Sequence, residues 1–374
     1  MTSIRDRERR MVGEIDDLAA AKLPLEQFFR ELLTVLGPAL GSEAGCLHGA
    51  DPVTGFLTST VAEGLQPTAF EHAIRLEMWS DDTTRFVDIR AAGRVVETVH
   101  RATGGRPERS VRYRELLAEF GLGDELRMNF DVGGGRWGAA ALMREAGSAP
   151  FGASEQRLAE RAARAVAAAL RDYALPTAAG PDGQGVRADP QDGPYWLGVA
   201  VIGPTGQLTS ADSGARQLFE ELSEPRYRPA GVPTALIYLS ERARTHATSA
   251  NANAGSHAWT RLRRPSGQWV AVRASLLDQS PRGSVALVAQ PASPVDVIPL
   301  SLLAHRFSPR EQEVVLQAVR GLSTRDIAHR LFLSPATVQD HLKSAFTKTG
   351  VRSRRELVAL LAAPYTAGLG RPPG

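Results

Sequence analysis

The chain has 374 residues, 43% of them apolar, and a formal net charge of +3 at pH 7. This length exceeds what one hydrophobic core ordinarily fills, so it predicts two or three domains. No apolar run is long enough to span a membrane, and the first ten residues are too charged for a secretory signal, so we expect a cytoplasmic protein without membrane contact. The single cysteine, Cys46, excludes an internal disulfide and a cysteine metal cluster, and we expect a free, buried thiol.

The positive charge is concentrated near the C-terminus. Residues 301–365 contain ten Lys or Arg against five Asp or Glu, whereas the rest of the chain contains 34 against 36. A basic balance in one small region is what neutralising nucleic-acid phosphates requires, although it also fits other surfaces. The charge therefore indicates the C-terminal region as the part that would contact a negatively charged partner.

The N-terminal region predicts two helices. Apolar residues recur at helical spacing between Ile4 and Leu36, and Pro24 interrupts the pattern. We therefore place a separate N-terminal helix in residues 1–24, and the second helix begins a first domain of residues 25–175.

Two strand pairs and a closing helix follow within residues 25–175. One pair surrounds the turn Asp51–Gly55, where Pro sets the first φ and Gly supplies a positive one, and the other surrounds Gly133–Gly135. An apolar stripe then predicts a helix from Ser154, as its N-cap, to Tyr173. Helices and antiparallel strands in about 150 residues make an α+β domain of ordinary size.

A second α+β domain is predicted in residues 195–292. Residues 176–194, rich in Pro, Gly, Asp and Ala, predict a flexible linker before it, and residues 293–304 are interpreted as a linker after it. Residues 366–374 are interpreted as a disordered tail. The elements predicted within the second domain are two strands across Leu197–Asp212, a helix at Ala215–Leu222, and strands at Trp259–Arg264, Gln268–Leu276 and Gly283–Ala289.

These two regions are similar to sensory domains. The passage from Trp137–Arg144 to Phe151–Glu155 resembles the last strand and helix of a GAF domain, and the element order of residues 195–292 resembles a PAS domain. The resemblance implies that these regions sense a ligand or a protein partner.

Four capped helices are predicted between Ser308 and Ala362. In the capping-box pattern, a Ser hydroxyl and an acid three residues later satisfy each other's backbone donors at a helix start. Gly321 and Gly350 are predicted to end the first and third helices. The four starting signals are Ser308–Glu311, Ser323–Asp326, Ser334–Pro335 and Ser353–Glu356.

The third helix, Pro335–Thr349, divides by face. Val338, Leu342 and Ala345/Phe346 recur at helical spacing and should pack inward on Leu316, Ile327, Ala328 and Leu331. Gln339, Asp340, Lys343 and Thr347 fall on the opposite face. A short polar face near a helix N-terminus is what a recognition helix presents to base edges in the major groove.

Four segments of this region carry a specific resemblance. Phe307–Val315, Gly321–Ala328, Leu333–Lys343 and Thr349–Leu357 resemble the LuxR-type helix-turn-helix. The resemblance implies a domain of residues 305–365 that binds double-stranded promoter DNA, works with RNA polymerase, and pairs with a second copy through Ser353–Leu361. It implies DNA-binding positions at Thr337, Val338, Gln339, Asp340, His341, Lys343, Thr347 and Arg352, and structural positions at Glu311, Gly321, Ile327, Ala328, Leu342 and Gly350.

The DNA-facing assignment leaves alternatives open for each residue. Gln339, Asp340 and Lys343 can each read a base, contact a phosphate or face solvent, because most protein–DNA hydrogen bonds go to the backbone. Asp340 can accept from a cytosine amino group or orient a basic neighbour.

Other site types are disfavoured. Asp51 is placed where a receiver domain has its phosphoacceptor, but no lysine occurs between Lys22 and Lys343 to complete such a site. Gly133–Gly138 satisfies a dinucleotide-binding pattern but joins two strands, so a hairpin turn is favoured. No phosphate-binding loop, nucleophile elbow or metal-ligand spacing is present, so we expect no catalytic residues, no metal and no cofactor, and not an enzyme.

The sequence thus predicts a multidomain protein, with α+β GAF-like and PAS-like domains followed by an all-α four-helix helix-turn-helix domain. We expect a dimeric transcriptional regulator whose N-terminal domains sense an unknown small molecule or a partner. Two alternatives remain: a regulator controlled by its abundance, whose N-terminal domains serve only association, and a sigma-factor-like subunit of RNA polymerase.

Overall fold

A computed structural model describes residues 4–66, 68–82, 84–174, 196–222, 231–248, 258–266, 268–278, 280 and 282–366. The predicted linker 176–194 and all but the first residue of the predicted tail 366–374 lie outside this range. Within it, no helix is long and apolar enough to cross a membrane.

The first part of the chain is a five-stranded antiparallel sheet with helices on both sides. Its strand order is β2-β1-β5-β4-β3. A 3-10 turn at Pro107–Arg109 and a π-helical turn at Tyr113–Leu117 precede β4. The elements are α1 Ile4–Ala20, α2 Leu25–Leu40, β1 Ala44–Ala50, β2 Leu57–Glu63, α3 Thr68–Trp79, α4 Phe86–Ala91, β3 Val96–Thr98, α5 Val99–Ala102, β4 Leu122–Val132, β5 Gly135–Glu145 and α6 Ala153–Tyr173.

The second part repeats the same strand order, β7-β6-β10-β9-β8, again with antiparallel pairs. Its elements are β6 Gly198–Ile202, β7 Leu208–Ala211, α7 Ser213–Glu221, α8 Thr234–Thr248, β8 Ala258–Arg263, β9 Trp269–Leu276 and β10 Val285–Pro291. Five helices follow: α9 Pro294–Ala304, α10 Pro309–Val319, α11 Thr324–Leu331, α12 Pro335–Thr349 and α13 Arg354–Thr366.

Most predicted elements are confirmed at these positions. The break at Pro24 separates α1 from α2, and the turn Asp51–Gly55 joins β1 to β2. Gly133 and Gly134 have φ of +62° and +85° in the tight turn between β4 and β5, so the glycine run is a hairpin turn. The N-cap of α6 was wrongly placed: Gly152, with extended backbone, precedes the helix, and Ser154 lies inside its first turn.

The two sheets share one hydrophobic core. One face of the first sheet packs on α1, α2 and α6, whereas the other turns toward the second sheet. Cys46, a free buried thiol as expected, lies on this second face in the same apolar cluster as Leu239 and Val272. Helix α8 lies between the sheets, packing against β8, β9 and β10 on one side and against β2 and α3 on the other. Two domains were expected from the sequence, but their shared core was not.

A buried ion pair crosses the same boundary. The carboxylate of Asp51, in the β1–β2 turn, accepts from Arg261 Nε at 2.8 Å and from Nη2 at 2.5 Å, and both side chains are 0% exposed. Arg261 Nη1 also donates to the carbonyl oxygen of Asp296 in the first turn of α9. One guanidinium thus joins the first sheet, the second sheet and the helix that follows them.

Residues 293–304, interpreted as a linker, form the helix α9. A capping box begins it, because the Ser293 hydroxyl and the Asp296 carboxylate bond to each other's backbone N–H groups, and Pro294 occupies the first helical position. Val297 and Leu300 are buried against β9. Ile298 and Leu302 of α9 pack on Leu357 and Leu361 of α13, so α9 connects the sheets to the C-terminal helices.

Candidate nucleic-acid interface

The helices α10, α11 and α12 start where the capping signals predict. Ser308 Oγ accepts from Glu311 N at 3.2 Å, and the Glu311 carboxylate accepts from Ser308 N at 2.7 Å. Ser323 and Asp326 repeat this exchange. At the start of α12, Ser334 Oγ accepts from Thr337 N at 3.0 Å. These local bonds fix the directions of the three helices.

Glu311 anchors α12 to α10. Its carboxylate is buried, with the residue 5% exposed, and accepts from Ser344 Oγ at 2.6 Å and from Lys348 Nζ at 2.6 Å. Burial alone would raise the pKa of this carboxyl, but the bonds from Lys348, Ser344 and Ser308 lower it from 4.5 to about 2. The structural role assigned to Glu311 therefore has a visible basis, while Lys348 and Ser344, its partners, were not singled out from the sequence.

Replacing Glu311 with Gln should make unfolding less sensitive to acid. Because the folded-state pKa is depressed, the carboxylate stabilises the protein fully above pH 4.5, and this contribution is lost as pH falls toward 2. The wild type should lose on the order of 2 kcal/mol through this group across that window, and Glu311→Gln should lack this component. Urea unfolding from pH 6 to 3 measures the difference. Equal acid sensitivity would contradict the assignment, and Glu313→Gln, on the exposed side of α10, is the control.

The inward face of α12 is apolar, as predicted. Val338, Leu342 and Ala345 are buried, and Ile327 and Ala328 of α11 lie in the same cluster as Val338 and Leu342. Placing Val338 among the DNA-binding residues was wrong, because it is 0% exposed and no base can reach it. Val338 instead packs in one buried cluster with Leu342, Ile327 and Ala328, which fixes the rotation of α12.

The outward face of α12 is polar and open. Gln339, Asp340, Lys343 and Thr347 are exposed. The side chains of Asp340 and Lys343 are each 76% exposed, and Lys343 Nζ lies 4.0 Å from Asp340 Oδ1. Thr347 Oγ1 donates to the Lys343 carbonyl oxygen. These four residues therefore form one face along the helix, which we call the α12 face.

The other sequence-predicted positions border this face less directly. Thr337 and His341 are half-buried, and the Thr337 hydroxyl bonds to Ser334 Oγ at 2.8 Å. Arg352 is exposed in the connection between α12 and α13, where its N–H donates to the Glu356 carboxylate. Gly321 and Gly350, with φ of +90° and +71°, lie at the ends of α10 and α12.

Two further basic residues were missed by sequence analysis. Arg325 and Arg330 are exposed on α11. In the part of the chain that the structure describes, neither forms an ion pair with an acidic side chain. The first helix of a helix-turn-helix, here α11, crosses the nucleic-acid backbone, so arginines on it can neutralise phosphates. The sequence could have indicated them, because α11 is a short helix with two arginines and a single acidic residue, Asp326, whose carboxylate is bonded in the capping box at the helix start.

Phe332, in the turn between α11 and α12, is held in an unfavourable conformation. Its φ is +55°, in the left-handed region, and it is 96% exposed, so burial does not compensate. Replacing it with Gly should raise the free energy of unfolding by about 0.5–1 kcal/mol, since glycine adopts this φ without steric cost. Thermal unfolding measures the change. Phe332→Ala, which keeps the strain, should give no gain, and an equal gain from both would contradict the explanation.

Comparison with known proteins places this region in context. Residues 305–361 match the family model described as bacterial regulatory proteins, luxR family. A 52-residue stretch is 51% identical to a protein of Mycobacterium tuberculosis named an HTH-type transcriptional regulator, and it covers 14% of the chain but 6% of that protein. The response regulator Rre1 of Synechocystis is 44% identical over 52 residues, which are 14% of the chain and 22% of that protein. The spore germination protein GerE of Bacillus subtilis is 40% identical over 55 residues, which are 15% of the chain and 74% of GerE.

Proposed function

The chain belongs to the LuxR family of bacterial regulatory proteins, and we propose from this premise that it is a sequence-specific, DNA-binding transcriptional regulator. Residues 305–365 would bind double-stranded promoter DNA and act with RNA polymerase. The match covers only 6% of the mycobacterial relative. What this chain's residues outside the match do is therefore proposed from their own structure.

The observation that carries this function is the α12 face. Gln339, Asp340 and Lys343 project from the first three turns of a helix whose opposite face is fixed in a core, which suits insertion into a major groove. In the proposed complex these three residues reach base edges, and Arg325 and Arg330 contact phosphates. Thr337, His341, Thr347 and Arg352 supply contacts at the border of the groove.

The N-terminal parts are proposed to be sensory. We assign residues 1–24 to an N-terminal helix, 25–175 to a GAF-like domain and 195–292 to a PAS-like domain, and two sheets of the same strand order with flanking helices support this. A cavity against one face of the first sheet, lined by residues that include Cys46 and Met143, favours a sensory role over one of association alone. Connection through α9 gives the sheets a physical route to α13.

Homodimerisation is also proposed, with one restriction from the fold. Leu357 and Leu361, in the helix expected to pair, are buried against Ile298 and Leu302 of α9. Pairing through α13 therefore uses its exposed residues, such as Arg355 and Ala359, or follows displacement of α9.

Selection from random duplexes tests the function directly. The purified full-length chain is mixed with random double-stranded DNA, bound duplexes are recovered over several rounds, and the products are sequenced. A regulator should enrich one motif, and a dimer should enrich two half-sites about one helical turn apart. Recovery of DNA without any shared motif would contradict sequence-specific binding.

A further inference from the structure

A cavity opens on the face of the first sheet that turns toward α8. The space between its walls, including the part open to solvent, is about 540 Å³. Most of its wall is apolar, formed by residues such as Phe86, Leu117, Phe120 and Met143. Tyr238 of α8 completes the wall, so both sheet domains contribute to the cavity.

The charged groups in the wall are already neutralised. Arg112 binds Glu125 through two hydrogen bonds of 2.6 and 2.8 Å, and both side chains are buried. Arg127 donates to Glu77 at 2.7 Å and to the Thr84 carbonyl oxygen at 2.8 Å. An ionised ligand would therefore leave water without finding a free counter-charge, which is strongly unfavourable.

His48 and Cys46 add no charge to this wall. Their side chains lie 3.2 Å apart, and His48 Nδ1 lies 2.9 Å from Thr60 Oγ1. Burial lowers the pKa of His48 to about 3 and raises the pKa of Cys46 to about 12, so the imidazole and the thiol are both neutral near pH 7.

Two donors in the wall lack a hydrogen-bond partner among the described residues: the Tyr238 hydroxyl and Arg127 Nε. Tyr238 is 5% exposed, and a tyrosine with so little exposure ordinarily has a partner for its hydroxyl. Burial also raises the pKa of Tyr238, so the hydroxyl keeps its proton and can donate it to a hydrogen bond.

We propose that this cavity binds a small, uncharged, mainly apolar molecule with one hydrogen-bond acceptor, and that the Tyr238 hydroxyl donates to that acceptor. Aromatic rings and branched aliphatic groups fit the walls, and a carbonyl or ether oxygen supplies the acceptor. The neutral wall should disfavour carboxylates, because a buried charge would find no counter-charge there. The Tyr238 hydroxyl should favour ligands that have a hydrogen-bond acceptor.

Binding at this site would act on the contact between the two sheets. Tyr238 belongs to the second domain and the remaining wall to the first, and Trp79 Nε1 donates to Glu241 of α8 at 2.7 Å beside them. A ligand that touches both sides strengthens their association, and Arg261 connects that association to α9. This regulatory consequence rests on the proposed function, whereas binding itself does not.

Three probes of similar shape test the ligand class with the full-length chain in the absence of DNA. Acetophenone has a ring and an acceptor, isopropylbenzene lacks the acceptor, and benzoate carries a charge. Ligand-observed NMR titration should give a Kd for acetophenone about five- to tenfold below that of isopropylbenzene, the gain expected from one net hydrogen bond. Benzoate should bind more weakly than both, because its charge has no free counter-charge in the wall. Benzoate binding as tightly as acetophenone, or no binding by any probe up to its solubility limit, would overturn the proposed class.

Removing one oxygen atom tests the role of Tyr238. Tyr238→Phe should reduce acetophenone affinity to that of isopropylbenzene, while leaving isopropylbenzene unchanged. Tyr173→Phe is the matched control, because it removes a hydroxyl that likewise has no partner among the described residues, and Tyr173 does not line the cavity. Unchanged acetophenone affinity in Tyr238→Phe would refute the hydrogen bond. If the probes bind but do not alter DNA affinity, the proposed binding site stands and only its link to regulation is refuted.

Discussion

Replacing Asp51 with Ala is expected to lower the free energy of unfolding by about 3–5 kcal/mol, the usual cost of removing one partner of a buried ion pair. The Arg261 guanidinium would remain 0% exposed and lose its carboxylate. The turn Asp51–Gly55 would also lose an acceptor, since Asp51 Oδ1 accepts from Val53 N at 2.9 Å. Urea unfolding followed by circular dichroism measures the change.

Two comparisons isolate the ion pair. Asp51→Asn keeps an acceptor for Val53 N and removes the charge, so most of the loss should persist. Asp172→Ala breaks another ion pair, with Arg306 at 3.2 Å, but both of its side chains are more than half exposed, and the cost should stay below about 1 kcal/mol. If Asp51→Ala costs no more than Asp172→Ala, the buried pair does not hold the two sheets together.

Replacing Lys343 with Ala is expected to weaken binding to the selected duplex by about 1–3 kcal/mol. Its side chain is 76% exposed on the α12 face, so the substitution removes no packing and should leave the unfolding free energy nearly unchanged. Fluorescence anisotropy at several salt concentrations measures the affinity. A base contact would relax specificity at one position of the motif, whereas a phosphate contact would weaken all sequences and reduce the salt slope by about one.

Lys22→Ala is the matched control for this prediction. It removes the same charge from an exposed position in the N-terminal region, far along the chain from the α12 face. The two variants should therefore bind DNA very differently. Equal affinity for DNA in both would show that the α12 face does not contact DNA.

Local signals explain which parts of the fold were predictable. The capping boxes at Ser308 and Ser323, the turn at Asp51–Gly55 and the glycine hairpin at Gly133 depend on residues within a few positions of each other. The helix α9 was missed because Pro294 and Pro299 favour a linker in sequence. In the structure Pro294 occupies the first helical turn, where a missing N–H has no cost.

Contacts between distant segments could not be predicted in this way. Asp51 and Arg261 are 210 positions apart, and no local pattern marks either residue for the other. The cavity likewise needs Tyr238 from α8, a helix that sequence analysis did not identify. At the candidate interface, helical periodicity placed Gln339, Asp340 and Lys343 on the outside, but family resemblance wrongly added Val338, which the same periodicity places in the core.

Genome-wide crosslinking and sequencing of bound DNA tests the central claim most directly, with the wild-type chain and Lys343→Ala expressed at equal levels in the native host. Discrete peaks at promoters are expected for the wild-type chain, and their loss is expected in Lys343→Ala. Peaks that persist unchanged in the variant, or no site enriched above background in the wild type under several growth conditions, would contradict that claim.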